Sequence, residues 1–299
     1  MTLSEFVKHC KKWTLMKPSE GTVKRVLEYV GHFLETRNFL DQIRFQETVP
    51  TEAVTLAMSI DSTSVNIRQE GWRHATASTA SIYDAKGNCL DTVYIGRMPE
   101  TAKRQAKRLL EKEVAARVAQ QDYKYIVCIA DGARDLWRFF QRKYPDAIHV
   151  VDFFHVCEHL SNLSNLLFND PSQAKAWYKK YRTILKEDPK GAAKMIRAAR
   201  YRRSLINESP DIESEIKYLQ HNRKRMNYFK LRQKKLPIGS GVVEAACKNL
   251  IGARMKKSGM RWSIDGGQTV LTLRSIILSN RWEKFWAYFI KHHLSELKT

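Results

Sequence analysis

Two apolar runs in this 299-residue chain end on carboxylates, and no other feature restricts the fold as tightly. In "YIVCIADGARDLW" (Tyr125 to Trp137), the segment from Ile126 to Ala130 reads as a buried strand that stops at Asp131 and Gly132. In "AMSIDSTSV", Asp61 interrupts an otherwise apolar strand. A buried carboxylate without a partner is costly, so each position calls for a partner, a raised pKa or a metal.

The segments around these runs set the organisation. "VTLAMSIDSTSVNI" (Val54 to Ile67), "HATASTASIYDAKGNCLDTVYIGRM" (His74 to Met98) and "YKYIVCIADGA" (Tyr123 to Ala133) read as strands, the middle one as a hairpin turning at Lys86-Gly87-Asn88. Glu100 to Gln121 contains no Gly or Pro and is rich in helix formers, which predicts a crossover helix before the next strand. A short helix, "ARDLWRFFQRKY", then Pro145 and a further apolar strand, Ala147 to Val156, complete a mixed sheet flanked by helices. Upstream, Val23, Val26, Leu27, Val30 and Leu34 fall at helical spacing.

Downstream of Cys157 the strand signal disappears, and basic helical segments continue to Lys235. The chain then meets "LPIGSG" and a last helical stretch beginning near Val242. These breaks predict four parts: a short helical region over 1–50, a first part of an α/β core over 51–160, a helical basic insertion over 161–237, and C-terminal core helices over 238–299.

Charge is the one unusual feature of the composition. The net charge is +21, and between Ser172 and Arg261 there are 24 Lys or Arg against 7 Asp or Glu. An excess of 17 in under a third of the chain points to a partner's phosphates, which makes nucleic acid the expected partner. Five scattered cysteines with no C-x-x-C pair argue against a disulfide framework or a four-thiolate zinc site. Neither a signal-peptide core nor an apolar run of membrane-spanning length is present, so the expected location is cytoplasmic, with the nucleoid.

A third acid, Glu244, opens the helix after Gly239-Ser240-Gly241. Asp61, Asp131 and Glu244, on two strands and one helix, form the oxygen donor set that one or two Mg²⁺ ions require for phosphoryl transfer. Each acid also has a plainer reading. In that reading Asp131 is a helix cap, Asp61 a partner for Arg68 or Arg73, and Glu244 a complement to its helix dipole.

The ordered set "SIDST", "IADGARDLW", "VVDFFHVCEHL" and "GSGVVEAACKNLIGARMKKSGMRW" resembles the DDE transposases of bacterial insertion sequences, in the group related to the Mutator elements. The resemblance runs from about Pro50 to about Leu278. It implies an RNase H-like core in which Asp61, Asp131 and Glu244 are catalytic and bind two Mg²⁺ ions, with Mn²⁺ able to substitute. It also implies DNA cleavage and strand transfer, and a homodimer or larger assembly on DNA. Asp152-Phe153-Phe154-His155 matches the group's Cys-or-Asp, x, x, His motif, which makes Asp152 and His155 supporting residues. Ser62 stands where that family has Gly, and the region before Pro50 is shorter than the DNA-binding leader of many relatives, a departure that bears on full activity.

Other chemistry deserves weighing beside this. His155 and His159 share a helix face and with Asp152 make a weak zinc pattern, lacking the Glu of H-E-x-x-H. In "GARMKKSGMRWS", Arg254, Lys256, Lys257 and Arg261 suit phosphates while Trp262 suits either an unpaired base or the core. Tyr201, Tyr228 and Phe229 interleave with Arg in the insertion, and helical spacing places them in a small core of the insertion itself. No Walker-type loop, G-x-S-x-G elbow or cysteine nucleophile is evident.

Overall fold

A computed structural model describes residues 3–14, 16–37, 39–206 and 209–296. Helices α1 (Leu3–Trp13), α2 (Glu20–Thr36) and α3 (Phe39–Arg44) precede strands β1 (Thr55–Ile67), β2 (Gly71–Tyr83) and β3 (Cys89–Arg97). Next come a 3₁₀ turn (Thr101–Lys103), α4 (Arg104–Val118), β4 (Tyr125–Ala130), α5 (Arg134–Lys143) and β5 (Ile148–Val151). The basic segment forms α6 (Phe153–Leu167), α7 (Pro171–Glu187), α8 (Gly191–Arg203), α9 (Pro210–Asn222), a 3₁₀ turn (Arg223–Arg225) and α10 (Tyr228–Gln233). The chain ends with α11 (Gly241–Ala246), a π-helical turn (Cys247–Gly252), α12 (Ala253–Met255), α13 (Ile264–Leu278) and α14 (Trp282–Glu296).

The five strands make one mixed sheet in the order β3-β2-β1-β4-β5. β1, β2 and β3 are antiparallel neighbours, whereas β1, β4 and β5 run parallel. β4 and β5 are short and nearly continuous in apolar residues, as strands covered on both faces are. The outer edge of β3 is closed by α13. Gln268, Ser275 and Ser279 accept from the backbone N–H groups of Met98, Gly96 and Tyr94 at 2.9, 3.0 and 2.9 Å. Side chains at helical spacing thus satisfy an edge that would otherwise be open to pairing.

The crossover helix starts later than its composition predicts. Ala102 and Lys103 both adopt positive φ, and the Glu100 carboxylate accepts from the N–H groups of Gln105 and Ala106 at 3.2 and 2.8 Å. A side chain several residues upstream therefore takes the place of a usual cap. The last strand is also shorter than the expected Ala147 to Val156. β5 stops at Val151, and Asp152 caps a helix that takes up Phe153 to Val156.

The basic helices share the core of the sheet. One continuous apolar cluster joins Val127, Ile129 and Val150 to Leu185, Ile196, Leu219 and Tyr228. The Tyr228 hydroxyl donates to the carbonyl of Val151 at 2.9 Å, and Tyr201 is 68% exposed, which corrects the expectation of a separate small core holding these rings.

Candidate active site

Strand register brings the first acids together. β1 and β4 pair in parallel up to Ser59 opposite Ile129, and continuing that register two positions sets Asp61 level with Asp131 on the same face. β4 and β5 pair up to Ala130 opposite Val151, so Asp131 and Asp152 fall level one position further on. Three carboxylates thus stand side by side where the parallel pairing stops, Asp131 and Asp152 directly after β4 and β5 and Asp61 midway along the longer β1, the edge at which ligands gather in such sheets.

Glu244 reaches the same place from a helix. α11 is seated on β1 and β2 by Val243, Ala246 and, in the following π turn, Cys247 and Leu250. The seat is close because β2 offers small buried side chains there, Ala75 and Ala77. Burial first, then the Asp61 carboxylate and in smaller part that of Glu244, push the Cys247 thiol up against the opposing charge of Lys256, so both acids lie near this one residue. The π-helical turn directly after α11 is a distortion often found beside functional sites.

A cavity of about 510 Å³ collects the predicted residues: Asp61, Asp131, Asp152, His155 and Glu244 all line it, with Arg182 beside them. Asp61 Oδ1 accepts from its neighbour Ser62 N–H at 2.6 Å, and Asp131 Oδ1 accepts from Ala133 N–H at 2.9 Å. The plainer readings fare differently. Arg73 pairs with Glu70 at 3.4 Å rather than with Asp61, and the Asp131 bond closes a turn at the residue preceding α5.

Asp152 has structural bonds of its own. Its Oδ1 caps α6 by accepting from Phe154 and His155 N–H at 2.5 and 3.0 Å. Its Oδ2 accepts from Ser240 N–H at 2.5 Å and from the Ser240 hydroxyl. Burial pushes this carboxyl above its usual range, against the opposing pull of the His155, Ser240 and Phe154 N–H donors. Asp152 therefore fastens the start of the Glu244 helix to the start of α6. Gly239 belongs to the same junction, since a Cβ there would lie 2.9 Å from the Phe154 ring.

The histidines separate. His155 Nδ1 lies 3.0 Å from Glu158 Oε2, while His159 Nδ1 lies 2.6 Å from Glu215 Oε2 and its ring stacks on Tyr218 at 3.5 Å. His159 is thereby turned onto α9. Among the described residues, no group of three or more His, Cys, Asp or Glu is gathered closely enough to hold a metal ion, and this applies alike to Asp152, His155 and His159 and to Asp61, Asp131 and Glu244. The five acids, Asp61, Asp131, Asp152, Glu158 and Glu244, share a cavity rather than a closed ligand shell. Their donor chemistry, all carboxylate oxygen, suits a hard divalent cation.

The residues of the last basic motif lie at the far end of β1. Lys256 donates to Thr63 Oγ1, two residues beyond Asp61 on the same strand face, and Lys257 and Arg261 are exposed. Arg254 lies over the Trp262 ring at 4.9 Å. Trp262 is half-buried, extends the sheet by pairing its backbone with Asn66 and Arg68, and donates its indole N–H to Met255 at 3.2 Å.

Sequence reading did not single out Tyr218. Its hydroxyl donates to the carbonyl of Asp131 at 2.6 Å, so α9 of the helical segment holds the loop that carries the second acid. No local signal identifies this contact, because its partners are 87 residues apart. No helix of the described residues is long and apolar enough to cross a membrane. No protein-family model matches the chain, and no curated protein matches it either.

Proposed function

We propose that the chain is a DDE-type transposase built on an RNase H-like core, cutting DNA strands at element ends and joining them to target DNA. The observation that carries this reading is the convergence of Asp61, Asp131 and Glu244 on one cavity from two adjacent parallel strands and a helix. Of the five acids lining the cavity, Asp152 is committed to Ser240 and the N-terminus of α6 and Glu158 lies 3.0 Å from His155 Nδ1, which leaves three carboxylates for chemistry. Asp61, Asp131 and Glu244 are the residues that would hold Mg²⁺, or Mn²⁺ in its place. A divalent ion bound there supplies Lewis acidity to a phosphoryl oxygen and makes water or a 3′-hydroxyl a better nucleophile.

The chain's own residues account for the remainder. Arg182, in the cavity wall, offers a fixed positive charge to the scissile phosphate. His155 lines the cavity within reach of a proton, with Glu158 orienting its ring. The β1–β2 ladder holds Asp61 in place and the end of β4 holds Asp131, and Asp152 through Ser240 sets where the Glu244 helix begins. Phosphoryl transfer asks a protein chiefly for such positioning and charge. Lys256, Lys257 and Arg261 suit the flanking backbone, and joining two ends calls for at least a dimer on DNA.

The test is strand cleavage and joining on DNA carrying the element's ends, with Mg²⁺ or Mn²⁺, for the wild type and Glu244→Gln. Metal-dependent joining by the wild type, lost in the variant with DNA binding kept, is the expected result. Nicks without joined product would mean a nuclease, and binding without cleavage under either metal a DNA-binding protein.

A further inference from the structure

A second large cavity opens at the other end of β5 from the acids. It encloses about 490 Å³ between α5, the start of β5, the end of α9, the 3₁₀ turn after it and α10. Ile148 and His149, the first two residues of β5, line it, so at ~3.3 Å per residue it lies roughly 10 Å from Asp152 along the strand. Its ionisable lining consists of Lys224, Arg225, Lys230 and Lys234 with His149 and His221, and no carboxylate lines it. Among the described residues, none of the four cations has a carboxylate at salt-bridge distance.

These cations are held around the opening rather than neutralised. Arg225 is half-buried over the Trp137 ring at 4.5 Å, and burial lowers its pKa. Lys234 lies 5.2 Å from the centre of the Tyr125 ring. His149 is pushed towards its neutral form, by burial first and in smaller part by the charge of Arg225. Four like charges around one opening repel one another, and the complement missing from the chain is an anion.

The lining also limits what the anion is. No Phe, Tyr or Trp lines the cavity, so apart from the imidazoles of His149 and His221 it offers no ring for stacking a base. Four separate cations match a run of phosphates better than one small anion. The basic surface also continues towards the acid cavity. Arg182 lines that cavity, Lys186 one helical turn on shares the Phe153 ring with it at 4.9 against 5.7 Å, and Arg232 of α10 reaches the Lys186 carbonyl at 3.5 Å.

We infer that this cavity is a second DNA contact, a seat for the phosphodiester backbone of a duplex whose other part lies at the acid cavity, bound through charge and without base readout. The inference shares DNA as partner with the proposed function and does not depend on cleavage.

The experiment measures the affinity of the full chain for duplexes of two unrelated sequences across a salt series, without divalent metal. Each phosphate contact contributes a slope of about 0.9 to the fall of log affinity with log salt. Lys230→Gln/Lys234→Gln is expected to reduce that slope by nearly two, equally for both sequences, with an unchanged thermal midpoint. Lys24→Gln/Lys291→Gln, exposed lysines on α2 and α14, should leave it as in the wild type. An unchanged slope in the first pair, an equal loss in the control pair, a loss for one sequence alone, or no binding by the wild type would each overturn the inference. Glu244→Gln should keep the wild-type slope, so a failed joining assay and a failed seat are read separately.

Discussion

Under the proposed function Asp131 carries two loads, and only one of them is chemical. Its side chain faces the cavity, while its carbonyl accepts the Tyr218 hydroxyl at 2.6 Å. The next residue, Gly132, has φ +103, and a Cβ there would come within 2.7 Å of the Tyr218 ring. Only glycine lets the loop turn back at that angle while the tyrosine lies against it. Burial, and then the carboxylates of Asp131, Asp152, Glu215 and Glu158, raise the Tyr218 pKa, so its hydroxyl remains a donor throughout the working pH range. Tyr218→Phe removes the donor and keeps the ring. The expected cost is about 1 kcal/mol in stability. The more telling expectation is a slower cleavage step with DNA affinity unchanged and a higher Mg²⁺ concentration for half-maximal rate. A purely structural tyrosine would not move the metal requirement.

At the level of elements, what was legible in the sequence divides along physical lines. β1, the β2–β3 hairpin and β4 are legible because apolar runs bounded by turn residues specify them locally. The boundary between β5 and α6 is not, because Ile148 to Val156 is apolar through both the buried strand and the first helical turn, and apolarity alone does not distinguish them. Asp152 is the signal that marks the boundary, as an N-cap residue, and reading it only as part of a motif hides that role. The three acids were legible as residues, whereas their shared cavity depends on register and on the seat of α11, which only the fold supplies. Asp152→Ala should remove both the cap and the tie to Ser240. A loss of about 2 kcal/mol is expected, roughly half of it from the cap. Asp152→Asn keeps a cap of similar strength and should recover that half. Chemical denaturation of the two variants measures the difference, and equal losses would mean that Asp152 acts through its charge alone.

Across the whole molecule, a buried ion network lies away from the acid cavity and joins parts distant in sequence. Glu113 of α4 meets Arg44 of α3 at 2.6 Å, Arg117 at 3.1 Å and Arg281, between α13 and α14, at 2.9 Å; Arg281 also meets Glu47. Glu113 is 1% exposed and Arg281 2%. Burial alone would raise the Glu113 pKa, but Arg281, Arg44 and Arg117 together hold it at about 2. Its folded pKa therefore lies below the unfolded value of 4.5. The stability it contributes is complete above about pH 4.5 and is lost as pH falls towards 2. Glu113→Gln leaves three buried guanidiniums facing an uncharged amide, and a loss of about 3–5 kcal/mol at neutral pH is expected. The same substitution should flatten the pH dependence of stability between about pH 4.5 and 2. Urea denaturation across that range tests both expectations at once, and a variant that lost stability but kept the wild-type acid slope would place the titration on other carboxylates. The network closes the N-terminal helices and the C-terminal pair onto the crossover helix, and among the described residues no member of it lines the acid cavity. DNA affinity measured where the variant remains folded should therefore match the wild type, because the network secures the frame and the strand ends secure the site.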